Sequence, residues 1–179
     1  MKPKLLMHMC CAPCAILPIL KMKETYDITG LFFNPNIHPF KEYLDRKKSV
    51  MELSLEFDIK IIEDDYPYEE FLEQTISSPV EPDRCSVCYQ TRLFRLKTKA
   101  DKLGFELVTT SLLYSIYQKH DLILSLGSTT FGENRFIPID YRKEFWQGVT
   151  EAKKRNYYLQ KYCGCIFSNF ERYHDVPKK

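Results

Sequence analysis

The sequence predicts an α/β fold in which a mostly parallel sheet is flanked by helices. Short apolar runs alternate along the chain with stretches whose apolar residues recur at helical spacing. Residues able to do chemistry stand directly after the first apolar run, where open α/β sheets hold their ligands. With 179 residues, 44% of them hydrophobic, the chain is long enough for one compact domain with its own core. No repeat, low-complexity tract or linker divides it, so a single domain over 1–179 is expected.

The elements follow in order. Residues 4–9 form an apolar run that stops at Cys10 and Pro13, a buried strand followed by a turn carrying Cys10 and Cys11. Residues 28–33 form a second strand, closed by Asn34-Pro35-Asn36. From 39 to 57 the period changes to helical, with Leu44, Met51 and Leu55 on one face and Lys47 and Lys48 largely away from it. Lys60-Ile61-Ile62 is a short strand, and an acidic, aromatic segment over 63–73 leads to a loop with Pro79 and Pro82 that delivers Cys85 and Cys88. Tyr89, Leu93, Leu96, Ala100 and Leu103 then mark a helix ending before Gly104. A strand over 105–113 with a polar Thr109-Thr110-Ser111 patch, a helix beginning at 120–126 and a last helix between 143 and 161 complete the pattern.

Seven cysteines in a chain without an evident leader or membrane span point to a cytoplasmic protein with reduced thiols, and their odd number argues against a disulfide framework. Cys10, Cys11 and Cys14 crowd one turn, while Cys85-Ser86-Val87-Cys88 is a C-x-x-C pair at a helix start, where the dipole favours thiolate. Together they are five candidate metal ligands. Four thiolates would suffice for a structural zinc, which leaves one unexplained; soft sulfur donors also suit iron-sulfur clusters, and spacing alone does not choose between them. Buried packing is the plainer reading of the first three. Cys163-Gly164-Cys165 could close only a small, easily reduced disulfide ring, which favours redox work, or could be two unrelated thiols or further ligands.

The net charge of +2 gives no whole-molecule attraction for nucleic acid, so basic surface has to be local. Arg92, Arg95, Lys99 and Lys102 form one stripe, able to meet phosphates or simply solvated. Arg142, Lys143, Lys153, Lys154 and Arg155 form a second group among Tyr141, Trp146, Tyr157, Tyr158 and Tyr162, a composition suited to single-stranded RNA. His8, inside the first strand, reads as a hydrogen-bonded core histidine, and His38 as a more accessible one. Asp140 is an ordinary surface charge or an oxygen ligand or proton relay.

Cys10-Cys11-Ala12-Pro13-Cys14, Phe33-Asn34-Pro35-Asn36-Ile37-His38, Arg84-Cys85-Ser86-Val87-Cys88-Tyr89, Asp140-Tyr141-Arg142-Lys143 and Tyr162-Cys163-Gly164-Cys165 stand in this order. In these motifs the chain resembles the QueH family of epoxyqueuosine reductases over almost its whole length. The resemblance implies an adenine-nucleotide hydrolase-like, Rossmann-like core and a two-electron deoxygenation of epoxyqueuosine to queuosine at the wobble position of a tRNA anticodon. It implies a [4Fe-4S] cluster beside a second, mononuclear metal, expected to be iron. Carried onto this chain, Cys10, Cys11, Cys85 and Cys88 are the principal ligands, with Cys14 and a carboxylate as further ones. Asp140, Cys163 and Cys165 are expected to move protons and electrons, and Asn34, His38, Arg92 and Arg142 to contact substrate. The expected partners are the tRNA and an electron donor of unidentified nature, without a membrane. A zinc-stabilised RNA-binding module without catalysis is the competing reading, and an ATP-using enzyme is weakened by the absence of a glycine-rich phosphate loop after the first strand.

Overall fold

The computed structural model describes residues 1–77, 83–132 and 134–174. Four strands, β1 (Lys4–His8), β2 (Asp27–Phe32), β3 (Lys60–Glu63) and β4 (Leu107–Thr110), form one parallel sheet in the order β3-β2-β1-β4. Around it lie seven described helices: α1 (Ala12–Met22), α2 (Phe40–Phe57), α3 (Tyr68–Ile76), α4 (Asp83–Leu103), α5 (His120–Phe131), α6 (Phe145–Lys154) and α7 (Ile166–Tyr173). The α/β architecture expected from the alternating pattern is therefore the one observed. Central β1 is buried on both faces, with Leu5, Leu6 and Met7 at 0% exposure, as a parallel strand covered by helices must be.

The chain runs from β1 to β2 and β3 on one side and then crosses to β4 on the other. The strand order therefore reverses between β1 and β4, which opens a crevice beyond their carboxyl ends. His8, at the end of β1, hydrogen-bonds Thr110 Oγ1 through Nδ1 (2.9 Å) and the Phe33 carbonyl through Nε2 (3.1 Å). It is the satisfied core histidine expected, and burial holds its pKa down at about 4.

Several elements differ from expectation for identifiable reasons. In α2 the helix is present but its buried face is Tyr43, Arg46, Ser49, Val50 and Leu53, whereas Leu44 and Leu55 are 43% and 84% exposed. Three polar residues on the inward face, Glu42, Arg46 and Ser49, inverted the apolar pattern. Helix α1 was hidden for the opposite reason: nine of its eleven residues are buried, so no polar face marks its period. Short α3 buries only Phe71 and Thr75, and α7 buries none. The expected strand over 105–113 stops at Thr110, where the Thr110 hydroxyl accepts from the Leu112 N–H (3.2 Å) and turns Ser111–Tyr114 into a 3-10 helix. The last expected helix is confined to Phe145–Lys154. The loop residues Pro79 and Pro82 lie outside the described residues.

Candidate metal and substrate cleft

The turn after β1 is fixed from both sides. The Met9 N–H donates to the Leu31 carbonyl (2.9 Å), and Asn34 Nδ2 donates to the Met9 carbonyl (2.9 Å). Across the β1/β4 crevice, the Cys10 N–H donates to Ser111 Oγ (3.1 Å). Cys11 then caps α1 in an extended conformation, so the turn and first helical residues bring three sulfurs together. Those of Cys10, Cys11 and Cys14 all lie within 4.8 Å of one another and are buried, the one group of metal-ligating side chains this tight among the described residues. Hydrogen bonds from the Cys11 and Cys14 thiols draw Cys10 well below the ordinary thiol range. Burial and the interactions among the three sulfurs push Cys11 and Cys14 up. Gln160 Nε2 lies 3.0 Å from Cys11 Sγ and 3.5 Å from Cys14 Sγ, donating to both.

Helix α4 delivers the second pair from its first two turns. Cys88 is buried, and burial raises its thiol to about 11 against the pull of Arg92, whose Nη2 lies 3.1 Å from Cys88 Sγ. Arg92, 3% exposed, also bonds the Cys88 carbonyl (3.1 Å). The expected basic stripe is thus not a surface feature as a whole: Arg92 faces the thiols, Arg95 grips Asp64 through two bonds of 2.6 and 2.8 Å, and Lys99 reaches the same carboxylate at 3.1 Å.

The third pair rests on a buried cation. Arg46 Nη1 and Nη2 donate to the carbonyls of Cys163 and Tyr162 at 3.0 Å each, and Nε donates to Glu42 (2.8 Å). The His38 N–H holds the Gly164 carbonyl from the other side (2.7 Å). Between these supports Cys163 and Cys165 turn their sulfurs to within 3.6 Å, with Ser168 Oγ 3.0 Å from that of Cys163. Hydrogen bonding within the pair lowers Cys163 to about 5 and raises Cys165.

A cavity of about 610 Å³ joins these parts, lined by Cys10, Cys14, Cys85 and Cys163. A smaller one of about 30 Å³ is lined by Cys85, Cys88, Cys163 and Cys165 with Arg92 and Asn36. The other expected site residues lie elsewhere or serve other partners. Asn34 is fully buried and braces Met9. His38 is half-buried beside Tyr66, its Nδ1 3.4 Å from the tyrosine hydroxyl. Asp140 and Arg142 pair at 2.7 and 2.8 Å, which holds the aspartate well below its usual range, and neither lines either cavity. Arg46 and Gln160 carried no sequence signal: a lone arginine or glutamine becomes informative only through burial or through the thiols it meets.

A chain that gathers cysteines from its beginning, middle and end at one sheet edge invites comparison with known families over its whole length. The model described as "Epoxyqueuosine reductase QueH" matches residues 5–171. The chain belongs to the QueH family. A relative named epoxyqueuosine reductase QueH from Dehalococcoides mccartyi is 33% identical over 177 residues, covering 97% of this chain and 96% of the relative. Relatives of that name from Streptococcus pyogenes and Haemophilus influenzae are 32% and 33% identical and cover 93% and 92% of this chain, and 71% of each relative. For a QueH family member the close trio Cys10, Cys11 and Cys14 is a group able to bind a metal. No helix among the described residues is long and apolar enough to cross a membrane.

Proposed function

We propose that the chain is an epoxyqueuosine reductase that removes the epoxide oxygen of epoxyqueuosine at the wobble position of a tRNA. Two electrons and two protons enter, both carbon-oxygen bonds of the epoxide break, a carbon-carbon double bond forms, and queuosine and water leave. Family membership supports the activity. The observation that carries the site is the large cleft at the β1/β4 crevice, where thiols from three parts of the chain share one wall.

The trio of Cys10, Cys11 and Cys14 fits a sulfur-rich metal centre, because buried, closely spaced thiols are soft ligands. Cys10, Cys11, Cys85 and Cys88 would be the principal ligands of a [4Fe-4S] cluster and a neighbouring iron, with Cys14 a further one. Such centres supply single electrons and a Lewis acid. Arg92 offsets thiolate charge at Cys88, and the Gln160 amide orients Cys11 and Cys14. Cys163 and Cys165 form the redox dithiol: closing their disulfide releases the two electrons and two protons that the reaction consumes, and an external donor then reduces it. Proton delivery falls to this dithiol and to Tyr89, a cleft tyrosine that burial keeps protonated, rather than to the Arg142-bound Asp140.

Anaerobic purification followed by iron and acid-labile sulfide analysis tests the cofactor. Incubation with reductant and tRNA containing epoxyqueuosine, read by nucleoside mass spectrometry, tests the reaction. Brown, sulfide-containing protein that yields queuosine is expected; colourless protein with one zinc and no turnover overturns the reading. Cys163→Ser is expected to abolish steady-state turnover, and unchanged turnover rejects the dithiol role.

A further inference from the structure

The mouth of the large cleft carries an aromatic pair that the reaction does not use. Tyr117, just beyond the 3-10 helix after β4, and Trp146, in the first turn of α6, are 71% and 63% exposed. Phe145 stands between them and meets each ring edge-on, at 5.6 Å and 84° from Tyr117 and 5.3 Å and 79° from Trp146. All three line the same cleft as Cys10, Cys14, Cys85 and Cys163. Large aromatic rings held open by packing beneath them offer flat faces with little ordering cost on contact.

The charge around them is one-sided. Lys119, Lys161 and Arg172 also line the cleft, and among the described residues neither Lys161 nor Arg172 has an ion-pair partner. The acidic residue there, Glu171, is met by Arg84 at 2.5 Å. By contrast, Arg155 and Lys154 of the sequence's basic group are engaged by Glu56 and Glu151, and Arg142 by Asp140. Aromatic faces beside uncompensated cations fit an unpaired base and its phosphates; an acidic or purely apolar partner would use only part of this surface.

We propose that Tyr117 and Trp146 form a stacking platform for an unpaired base of the anticodon loop next to the modified nucleoside, while Lys161 and Arg172 take its phosphates. This rests on the tRNA-modifying reading above. The platform positions the loop, so that the wobble nucleoside enters the thiol-lined part of the cleft.

Trp146 is the sole tryptophan of the chain, so its emission reports the contact directly. The probe is an RNA hairpin carrying an anticodon loop, titrated into the iron-loaded full chain, with a fully paired RNA duplex as control and an independent affinity from filter binding. The hairpin is expected to quench Trp146 and the duplex is not. Trp146→Ala and Tyr117→Ala should each weaken hairpin binding about tenfold, the loss of one stacked base, with Trp146→Phe retaining most of the affinity. Hairpin binding that leaves Trp146 emission unchanged, together with wild-type affinity in both alanine variants, overturns the platform while the tRNA reading stands. If neither the hairpin nor whole tRNA binds, both fall.

Discussion

A methyl group at residue 164 would stand 3.1 Å from Ile37 Cγ1 and 3.2 Å from Arg46 Nη1, on a backbone whose φ of 118° L side chains rarely adopt. Gly164 is therefore what lets the two flanking thiols turn back over the buried guanidinium. Gly164→Ala should lower stability by about 1–3 kcal/mol, measured by urea unfolding of the reduced protein. It should also slow disulfide closure between Cys163 and Cys165. At this scale the sequence was legible where residue type already implies chemistry: the paired cysteines stood out, and each pair borders the cleft. Arg46 was not legible, because its importance lies in being 1% exposed between Glu42 and two carbonyls, a fact of packing between residues over a hundred positions apart.

Helix α4 carries Cys85 and Cys88 and is tied to the end of β3 by Asp64, which receives Arg95 and Lys99. Burial raises the Asp64 pKa, but Arg95, the Asp65 N–H and Lys99 outweigh it and the net shift is downward. An unfolded aspartate titrates near 3.9. The tether therefore contributes in full above that value and is lost as pH falls through the lower folded value. Wild-type stability should decline below about pH 4 with a component that Asp64→Asn removes, as followed by circular dichroism in an acid series. On the other side of the sheet α6 packs on Tyr114, whose hydroxyl accepts from the Gly148 N–H (3.2 Å). A Cβ at residue 148 would lie 2.2 Å from that hydroxyl oxygen. Gly148→Ala should cost about 1–3 kcal/mol through overpacking and shift Trp146 emission as the start of α6 moves. Long elements with one polar face, such as α4, were readable from periodicity. Helix α1, buried all round, and α2, with an arginine and a serine turned inward, were not, since binary pattern carries no information where the inner face is polar or the outer face is absent.

For the molecule as a whole, thiols near residues 10, 85 and 163 line one cleft only in the folded chain, so a metal bound by thiols from more than one of these segments is bound to the native state. Metal loading should therefore raise the thermal midpoint and chelation should lower it, by several degrees, in calorimetry of the two forms. A midpoint indifferent to chelation would show that the ligands do not join distant parts of the fold. The fold class and the carboxyl-edge location of the site followed from alternation and from the cysteines after β1. The cleft's aromatic mouth did not, because Tyr117 and Trp146 are brought to one rim by the packing of Phe145 beneath them.

The Arg46 latch also bears on how the protein is made. Synthesis proceeds from the amino end, so the turn with Cys10, Cys11 and Cys14 and helix α2 leave the ribosome long before Tyr162 and Cys163 exist. Until those two carbonyls arrive, Arg46 has Glu42 but lacks the acceptors that justify its burial, and α2 has no reason to seat its polar face inward. The cleft is thus closed by a segment translated long after its first turn, and a nascent chain stalled before it holds its first three thiols without the dithiol that would work beside them.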